Sequence, residues 1–267
     1  MSTLFATGIG AVLSADIAVP EHERVVRFYA RVLSSGAQPL FREADLWNNL
    51  GMPIVGVGAR SADSSYERLP LQWMPHIMVA DVAASVQHAL DLGGQALMHA
   101  KDDAGRSQWA VLLDRDAAAF GIIPVVAADA MPVVDEAALP AGTGVGRINW
   151  LDLTVPDAAA AQAFYQQVIG WSVQPVELTD RDASYADFNM LLADGAAAAG
   201  ICHARGLNAA QPPVWMIYLP VGDLAESLRR VDAEGGSVLR AMPGADGTYM
   251  QAVIQDPVGA QLTLTAA

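Results

Sequence analysis

Four polar side chains lie at equivalent points of otherwise apolar, strand-like segments, and their types suit them to proton transfer. They are Asp16, His76, Asp152 and Tyr218. A carboxylate can orient an imidazole and raise its basicity, so Asp16 and His76 are predicted to form a general acid/base pair. Asp152 and Tyr218 form the corresponding pair in the second half and are predicted to bind a ligand. The alternative is that all four are satisfied polar groups at a strand junction.

The segments that carry these residues belong to an internal repeat. Each copy has an apolar strand-like run that ends near a valine, then an acidic residue, then a helical pattern. An acidic residue at a helix N-terminus accepts hydrogen bonds from free backbone N–H groups and complements the helix dipole. Four segments share this pattern: 15–33, 76–94, 151–170 and 218–236.

Short β-rich runs separated by turn residues follow the helical patterns, so each unit is predicted to be a strand, a helix and about three strands. Examples of these runs are 52–59, 107–114, 185–192, 249–256 and 260–265. Two units make one domain and two domains make the chain. We therefore predict an α+β protein with domains at 8–127 and 146–267, joined by a linker at 128–145 that is rich in proline and glycine.

Two motifs give the repeat a family resemblance. The first motif is a helical segment that begins with Phe-Tyr and occurs at 28–33 and 164–171. The second is an Asp-Pro-Val-Gly turn followed by a strand at 256–264, with a degraded copy at 114–122. In these features the chain resembles the vicinal oxygen chelate superfamily of glyoxalases, bleomycin resistance proteins and extradiol dioxygenases. The resemblance implies βαβββ modules paired into cup-shaped sheets, with helices outside and a ligand pocket inside each cup. The Phe-Tyr residues themselves are expected to pack in the core.

Many members of that superfamily hold a divalent metal through His, Gln or Glu on the first and last strands of each module. None of the matching positions here offers imidazole or carboxylate, the groups that such metals require. These positions are Ser14, Gly56, Met74, Gly121, Trp150, Gly200, Met216 and Thr263. His22 and His88 are expected on outward helices, and His203 follows Cys202 without a partner at metal-ligand spacing. We therefore predict no metal and no other cofactor.

Aromatic side chains are expected on the same inner surfaces as the polar pairs, where they would line an apolar slot. Packing against a neighbouring domain is the alternative. Two further tryptophans, Trp73 and Trp215, are expected to point the other way, beneath the helices. The predicted lining residues are Trp47, Trp109, Trp150 and Phe188.

Charge and composition restrict the partners. The chain has 29 acidic and 15 basic residues, for a net charge of -14, and such a surface repels nucleic-acid phosphates and anionic lipids. No apolar run approaches the length of a membrane span. The single cysteine, Cys202, fits a reducing compartment, so a cytoplasmic location is expected. A small-molecule ligand is the expected partner, and the sequence leaves homodimer formation open.

These observations favour a metal-free binding protein of the bleomycin-resistance type, which holds an apolar or aromatic metabolite or drug in one or both cups. The alternative is an enzyme, such as a lyase, isomerase or hydrolase, that uses Asp16 with His76, or Asp152 with Tyr218, for proton transfer. A third interpretation is a metal-dependent glyoxalase or dioxygenase with displaced metal ligands.

Overall fold

A computed structural model describes residues 7–34, 41–42, 45–47, 53–61, 65–130, 147–180, 183–244 and 247–267. Over these ranges the chain forms two eight-stranded sheets and four α-helices. Each sheet contains two βαβββ modules, so the predicted fold class is confirmed. The predicted linker at 128–145 lies outside the described residues except for its first three, which form the 3-10 helix Ala128–Ala130.

The first half contains β1 (Val12–Val19), α1 (His22–Val32), β2 (Phe41–Arg42), β3 (Asp45–Trp47), β4 (Pro53–Ala59), β5 (Met74–Val79), α2 (Val82–Asp91), β6 (Gln95–Lys101), β7 (Ser107–Leu113) and β8 (Ala119–Pro124). The second half contains β9 (Trp150–Val155), α3 (Ala158–Ile169), β10 (Ser172–Asp180), β11 (Ala183–Leu191), β12 (Ala197–His203), β13 (Trp215–Val221), α4 (Leu224–Ala233), β14 (Ser237–Pro243), β15 (Tyr249–Gln255) and β16 (Gln261–Ala266).

The strand order places the first strand of every module at the centre of its sheet. The first sheet runs β2-β3-β4-β1-β5-β8-β7-β6, and the second runs β10-β11-β12-β9-β13-β16-β15-β14. The two central strands are antiparallel to each other, and each is parallel to the last strand of its own module. Side chains on the two central strands therefore face each other at the middle of each cup.

Three of the four helices begin at an aspartate that caps them. The Asp81, Asp157 and Asp223 side chains accept hydrogen bonds from the backbone N–H three residues later, at 3.0, 2.9 and 2.8 Å. Helix α1 begins after Glu21, whose side chain makes no capping hydrogen bond and instead pairs with Arg24 at 3.0 Å. The prediction that each helix begins after an acidic residue is thus confirmed. Glu21, whose side chain is longer than that of aspartate, is the one acidic residue that does not cap its helix.

The helices lie outside the cups, as the resemblance implies, and they also form contacts between the two halves. Helix α1 packs on α4 and α2 packs on α3. The Ser227 hydroxyl donates to the Val32 carbonyl at 2.7 Å, and His88 Nδ1 lies 3.1 Å from the Gln167 carbonyl. The helices cover the convex face of their own sheet, but their remaining apolar surface is buried only by the other half.

Two reciprocal hydrogen bonds join the halves. The Tyr29 hydroxyl on α1 donates to Asp256 Oδ2 at 3.0 Å, and the Tyr165 hydroxyl on α3 donates to Asp114 Oδ2 at 2.9 Å. The other oxygen of each aspartate accepts two backbone N–H groups of its own turn. The Phe-Tyr helices and the Asp turns, which carried the family resemblance, are therefore partners across the interface.

The aromatic residues around these bonds form the centre of one continuous core. The predicted core position of Phe28 and Phe164 is confirmed, because both are buried. Trp73 packs edge-on against Tyr29, and the Trp215 indole N–H donates to the Tyr165 hydroxyl at 2.9 Å. Both tryptophans thus lie beneath the helices, as the strand alternation predicts.

Candidate functional site

Asp16 and His76 meet on the concave face of the first sheet. Strands β1 and β5 pair with Ser14 opposite His76 and with Asp16 opposite Met74, so all four side chains share that face. His76 Nε2 lies 3.5 Å from Asp16 Oδ2, and His76 Nδ1 lies 2.9 Å from Ser14 Oγ. The imidazole is therefore held between a hydroxyl and a carboxylate.

A cavity of about 400 Å³ opens over this pair. Asp16 and His76 supply ionisable groups to a lining that is otherwise mostly apolar, with Met98 and Trp109 from β6 and β7 among its walls. Trp109 is 38 % exposed, as a residue at the mouth of a cavity would be. Its predicted position in the first cup agrees with this lining, whereas the side chain of Trp47 lies outside the described residues.

Gly121 makes room for the imidazole. It pairs with His76 across the parallel β5–β8 ladder, and a Cβ atom built on Gly121 would lie 2.5 Å from His76 Cδ2. Such an approach is far inside van der Waals contact, so the ring can occupy this place only because residue 121 has no side chain. Gly121 stands where the family places a metal ligand, and the His76 ring from the neighbouring strand β5 fills the space beside it.

In the second cup Asp152 is the equivalent of Asp16, and both of its carboxylate oxygens accept hydrogen bonds. Asp152 accepts the Tyr218 hydroxyl at 2.7 Å and the Trp150 indole N–H at 2.8 Å, one on each oxygen. Burial raises the pKa of Asp152, and the two donors oppose that change. Burial together with the Asp152 charge also raises the pKa of Tyr218. Trp150 therefore donates its indole N–H to Asp152. Asp152 and Tyr218 agree with the alternative interpretation, in which these residues are polar groups that satisfy each other's hydrogen bonds.

A contact between a histidine and an aspartate on the second sheet was not predicted. His203 Nδ1 lies 3.1 Å from Asp187 Oδ1, which also accepts the His203 backbone N–H at 2.8 Å. The partner comes from the neighbouring strand β11, so sequence spacing around His203 could not reveal it. Next to it, burial and the Asp152 and Asp187 charges raise the pKa of the Cys202 thiol to about 12. The thiol is therefore protonated and a weak nucleophile at neutral pH.

Phe188 does not line the second cup, so its predicted role in ligand stacking is wrong. Asp187 points into the cup, and the next residue along a strand must point to the opposite face. Phe188 accordingly pairs with Ile201 and packs with the buried core on the helix side. The sequence alone did not settle the register of this strand.

The donor set does not fit the divalent metal that the resemblance implies. Within the part of the chain that the structure describes, no group of three or more His, Cys, Asp or Glu side chains is arranged to hold a metal ion. Among the described residues that line the first cup, Asp16 and His76 are the two with an imidazole or carboxylate, while a protein zinc site needs three or four ligands. In the second cup the Asp152 oxygens are taken by Tyr218 and Trp150.

The described helices give no sign of membrane insertion. None of them has both the length and the apolar character that crossing a bilayer requires.

Comparison with known proteins agrees with this architecture. Residues 147–264 match the family model described as the Glyoxalase/Bleomycin resistance protein/Dioxygenase superfamily. CFP32 of Mycobacterium bovis, whose name proposes a glyoxylase, is 29% identical over 196 residues, which cover 73% of this chain and 69% of that protein. The anthracycline biosynthesis protein DnrV of Streptomyces peucetius is 26% identical over 127 residues, or 43% of this chain and 45% of that protein.

Two solved structures with the same fold share little sequence identity with this chain. The 2,2',3-trihydroxybiphenyl 1,2-dioxygenase of Sphingomonas wittichii superposes with a TM-score of 0.56 at 14% identity, covering 97% of this chain and 91% of that one. A variant of 4-hydroxymandelate synthase from Streptomyces coelicolor gives 0.55 at 13% identity, with 97% and 94% covered. At these identities the likeness concerns the fold alone.

Proposed function

We propose that the chain is a member of the glyoxalase/bleomycin resistance protein/dioxygenase superfamily, and that it binds a small apolar or aromatic molecule in its first cup without the help of a metal. The observation that carries this proposal is the cavity of about 400 Å³ with Asp16 and His76 on its lining. Small-molecule sites are typically concave and mostly apolar, with a few polar groups that orient the ligand.

Solvation distinguishes the two cups. The Asp16 side chain is 54 % exposed and borders the cavity, so a ligand can reach its carboxylate. Asp152 already accepts two hydrogen bonds from its own cup, and displacing them would cost the free energy of both. The first cup is therefore the better ligand site, and the second is proposed to be mainly structural.

The proposed partner is a small molecule, and neither nucleic acid nor a membrane is invoked. The names of the relatives, a proposed glyoxylase and an anthracycline biosynthesis protein, are compatible with a small organic ligand. The acidic charge of this chain favours ligands that are neutral or cationic.

A second candidate function is proton transfer on the bound molecule by an enzyme of the lyase, isomerase or hydrolase type. The arrangement that favours it is the Asp16–His76 pair at 3.5 Å, with Ser14 on the far nitrogen of the ring. In such a site His76 would take a proton from the substrate and return it to another substrate atom, while Asp16 would stabilise the imidazolium. Asp152 with Tyr218 is the less favoured pair, because each Asp152 oxygen already accepts a hydrogen bond from a residue of its own cup.

The experiment is a thermal-stabilisation screen of the purified protein against metabolites and aromatic antibiotics, with recovery of each stabilising compound after long incubation. His76→Ala and Trp109→Ala should remove the stabilisation, whereas His88→Ala, on α2 outside the cavity, should keep it. Recovery of the compound unchanged supports binding. A modified product whose formation His76→Ala abolishes would establish the enzyme instead.

Elemental analysis of the same preparation tests the metal-free part of the proposal. We expect no transition metal in stoichiometric amount. One metal per chain, lost on chelation together with ligand binding, would contradict the proposal.

A further inference from the structure

We propose that Ser14 positions His76 in one tautomer, and that the first cup thereby selects planar ring compounds carrying a hydrogen-bond acceptor directly beside a donor, as a lactam edge does. This inference rests on the proposed binding function and names the ligand chemistry of the same cavity. It concerns a residue that does not border the cavity, since Ser14 lies behind the imidazole as seen from it.

The tautomer follows from the two neighbours of the ring. A neutral imidazole has one N–H donor and one lone-pair acceptor. Asp16 presents only acceptors when ionised, so the nitrogen nearest to it, Nε2, is the one that keeps the proton. Nδ1 then carries the lone pair, and the Ser14 hydroxyl at 2.9 Å is placed to donate to it. In this tautomer Ser14 satisfies Nδ1, and the Nε2–H stays available to a ligand because Asp16 Oδ2 lies 3.5 Å away, at the outer limit of a hydrogen bond.

The ring is also fixed in place. Ser14 lies directly opposite His76 in the β1–β5 ladder, and Gly121 lies opposite it in the β5–β8 ladder. The hydroxyl restrains the orientation of the ring, and the glycine provides the space that the ring fills. Ser14 is thus a positioning residue that acts on the ligand through His76.

The cavity consequently presents a donor and an acceptor side by side. The donor is His76 Nε2–H and the acceptor is the Asp16 carboxylate, 3.5 Å apart. The complementary ligand edge has a carbonyl that accepts from His76 and an adjacent N–H that donates to Asp16. Apolar walls and Trp109 suit a flat ring system behind that edge. A free carboxylate would face Asp16 and be repelled.

The tautomer is tested directly by NMR of the imidazole nitrogens in wild type, Ser14→Ala and Ser14→Thr. We expect the Nε2–H form in wild type, a mixture of forms in Ser14→Ala, and recovery of the wild-type pattern in Ser14→Thr, which keeps the hydroxyl. An Nδ1–H form in wild type, or no change in folded Ser14→Ala, would overturn the positioning role.

Ligand selection is tested by calorimetric titration with 2-quinolone, 1-methyl-2-quinolone and coumarin. The three bicyclic probes share a ring carbonyl, but only 2-quinolone has a neighbouring N–H. Wild type should bind 2-quinolone about tenfold more tightly than the other two, which is the effect of one hydrogen bond to a charged group. Asp16→Ala should abolish this preference. Ser14→Ala should weaken 2-quinolone binding several-fold, and Ser14→Thr should restore it.

The results separate the two proposals. Equal binding of all three probes in wild type, lost in Trp109→Ala, would overturn the lactam-edge selection and leave the binding function standing. Absence of binding by all three would count against the lactam-edge selection, and a compound of different chemistry found in the thermal screen would still support the binding function.

Discussion

The position of the His76 ring depends on the absence of a side chain at residue 121. A methyl group there would meet the ring at 2.5 Å from Cδ2, so Gly121→Ala should push the imidazole away from Asp16 and Ser14. We expect ligand affinity in the first cup to fall by about tenfold or more, and stability to fall by about 1–3 kcal/mol from overpacking. Calorimetric titration with a ligand from the screen measures the first effect.

The matched control for this change is Gly200→Ala, which places a methyl group against the Asp152 carboxylate in the second cup. It should cost similar stability and leave affinity in the first cup unchanged. If both variants lose affinity equally, the loss reflects general destabilisation and the specific role of Gly121 is wrong.

The buried carboxylate of Asp152 should make stability depend on pH. Its pKa is higher in the folded protein than in the unfolded chain, so the folded state holds more protons between the two values, and the free energy of unfolding falls as pH rises through that window. The window opens near the ordinary value of 3.8. The difference in unfolding free energy between wild type and Asp152→Asn should therefore decrease as the pH is raised above this value, and then become constant.

Urea unfolding of both proteins over a pH series measures this difference. A difference that increases with pH would mean that the hydrogen bonds from Tyr218 and Trp150 outweigh burial and that the pKa of Asp152 is lowered.

Single-residue predictions from the sequence succeeded where a second strand supplied an independent check. The alternation of side chains in β1 and β5 placed Asp16 beside His76, because two apolar strands with polar residues in matching positions fix a common face. The same reasoning joined Asp152 to Tyr218. Phe188 failed because β11 is partly solvated on both faces, so its pattern does not define its register.

At the level of elements, the helix caps offer a direct comparison. Asp81 caps α2 through the Ala84 N–H, while Glu21 makes no such bond to α1. Asp81→Ala should cost about 1 kcal/mol of stability, the usual value of an N-cap. Glu21→Ala should change stability by less than about 0.5 kcal/mol, since it breaks only an exposed ion pair with Arg24. Urea unfolding of the two variants gives both values, and equal losses would contradict the structural difference.

Strands with buried apolar residues were predicted from the sequence, whereas an exposed edge strand was not. The runs predicted at 52–59 and 107–114 correspond to β4 (Pro53–Ala59) and β7 (Ser107–Leu113), whose apolar residues pack in the core. Strand β10 (Ser172–Asp180) was not identified as a strand in the sequence. It is an edge strand whose residues are largely exposed, so no apolar alternation marks it.

At the level of the whole molecule, the contacts of α1 with α4 and of α2 with α3 make the two halves interdependent. Tyr29→Phe and Tyr165→Phe each remove one buried hydrogen bond to an aspartate of the other half, and each should cost about 1–3 kcal/mol. Both variants should still unfold in one transition, because the apolar core is continuous across the halves. Urea unfolding followed by tryptophan fluorescence and by circular dichroism tests this, and separate transitions in the two signals would contradict it.

The sequence predicted the paired modules of each sheet but not the packing of the two halves on each other, for a physical reason. Amphipathic patterns identify which helix face is apolar, but they do not say whether the opposite face meets water or another domain. Contacts such as Ser227 to Val32 depend on how the halves dock. The docking of the halves is fixed in part by the hydrogen bonds between the Phe-Tyr helices and the Asp turns, which the sequence did not reveal as partners.

The crossed Tyr–Asp bonds have the form of an isologous dimer contact, in which a surface on one copy meets the same surface on another. A half-length chain with one tyrosine helix and one aspartate turn could make both bonds by pairing with itself. In this protein the two copies are fused, and the first cup lies on the face of its sheet opposite the helices and the other half. Substitutions in one cup therefore leave the other cup sterically untouched. One half of such a fused pair can keep an open pocket while the other closes its polar groups on themselves, which is the asymmetry seen between Asp16 and Asp152.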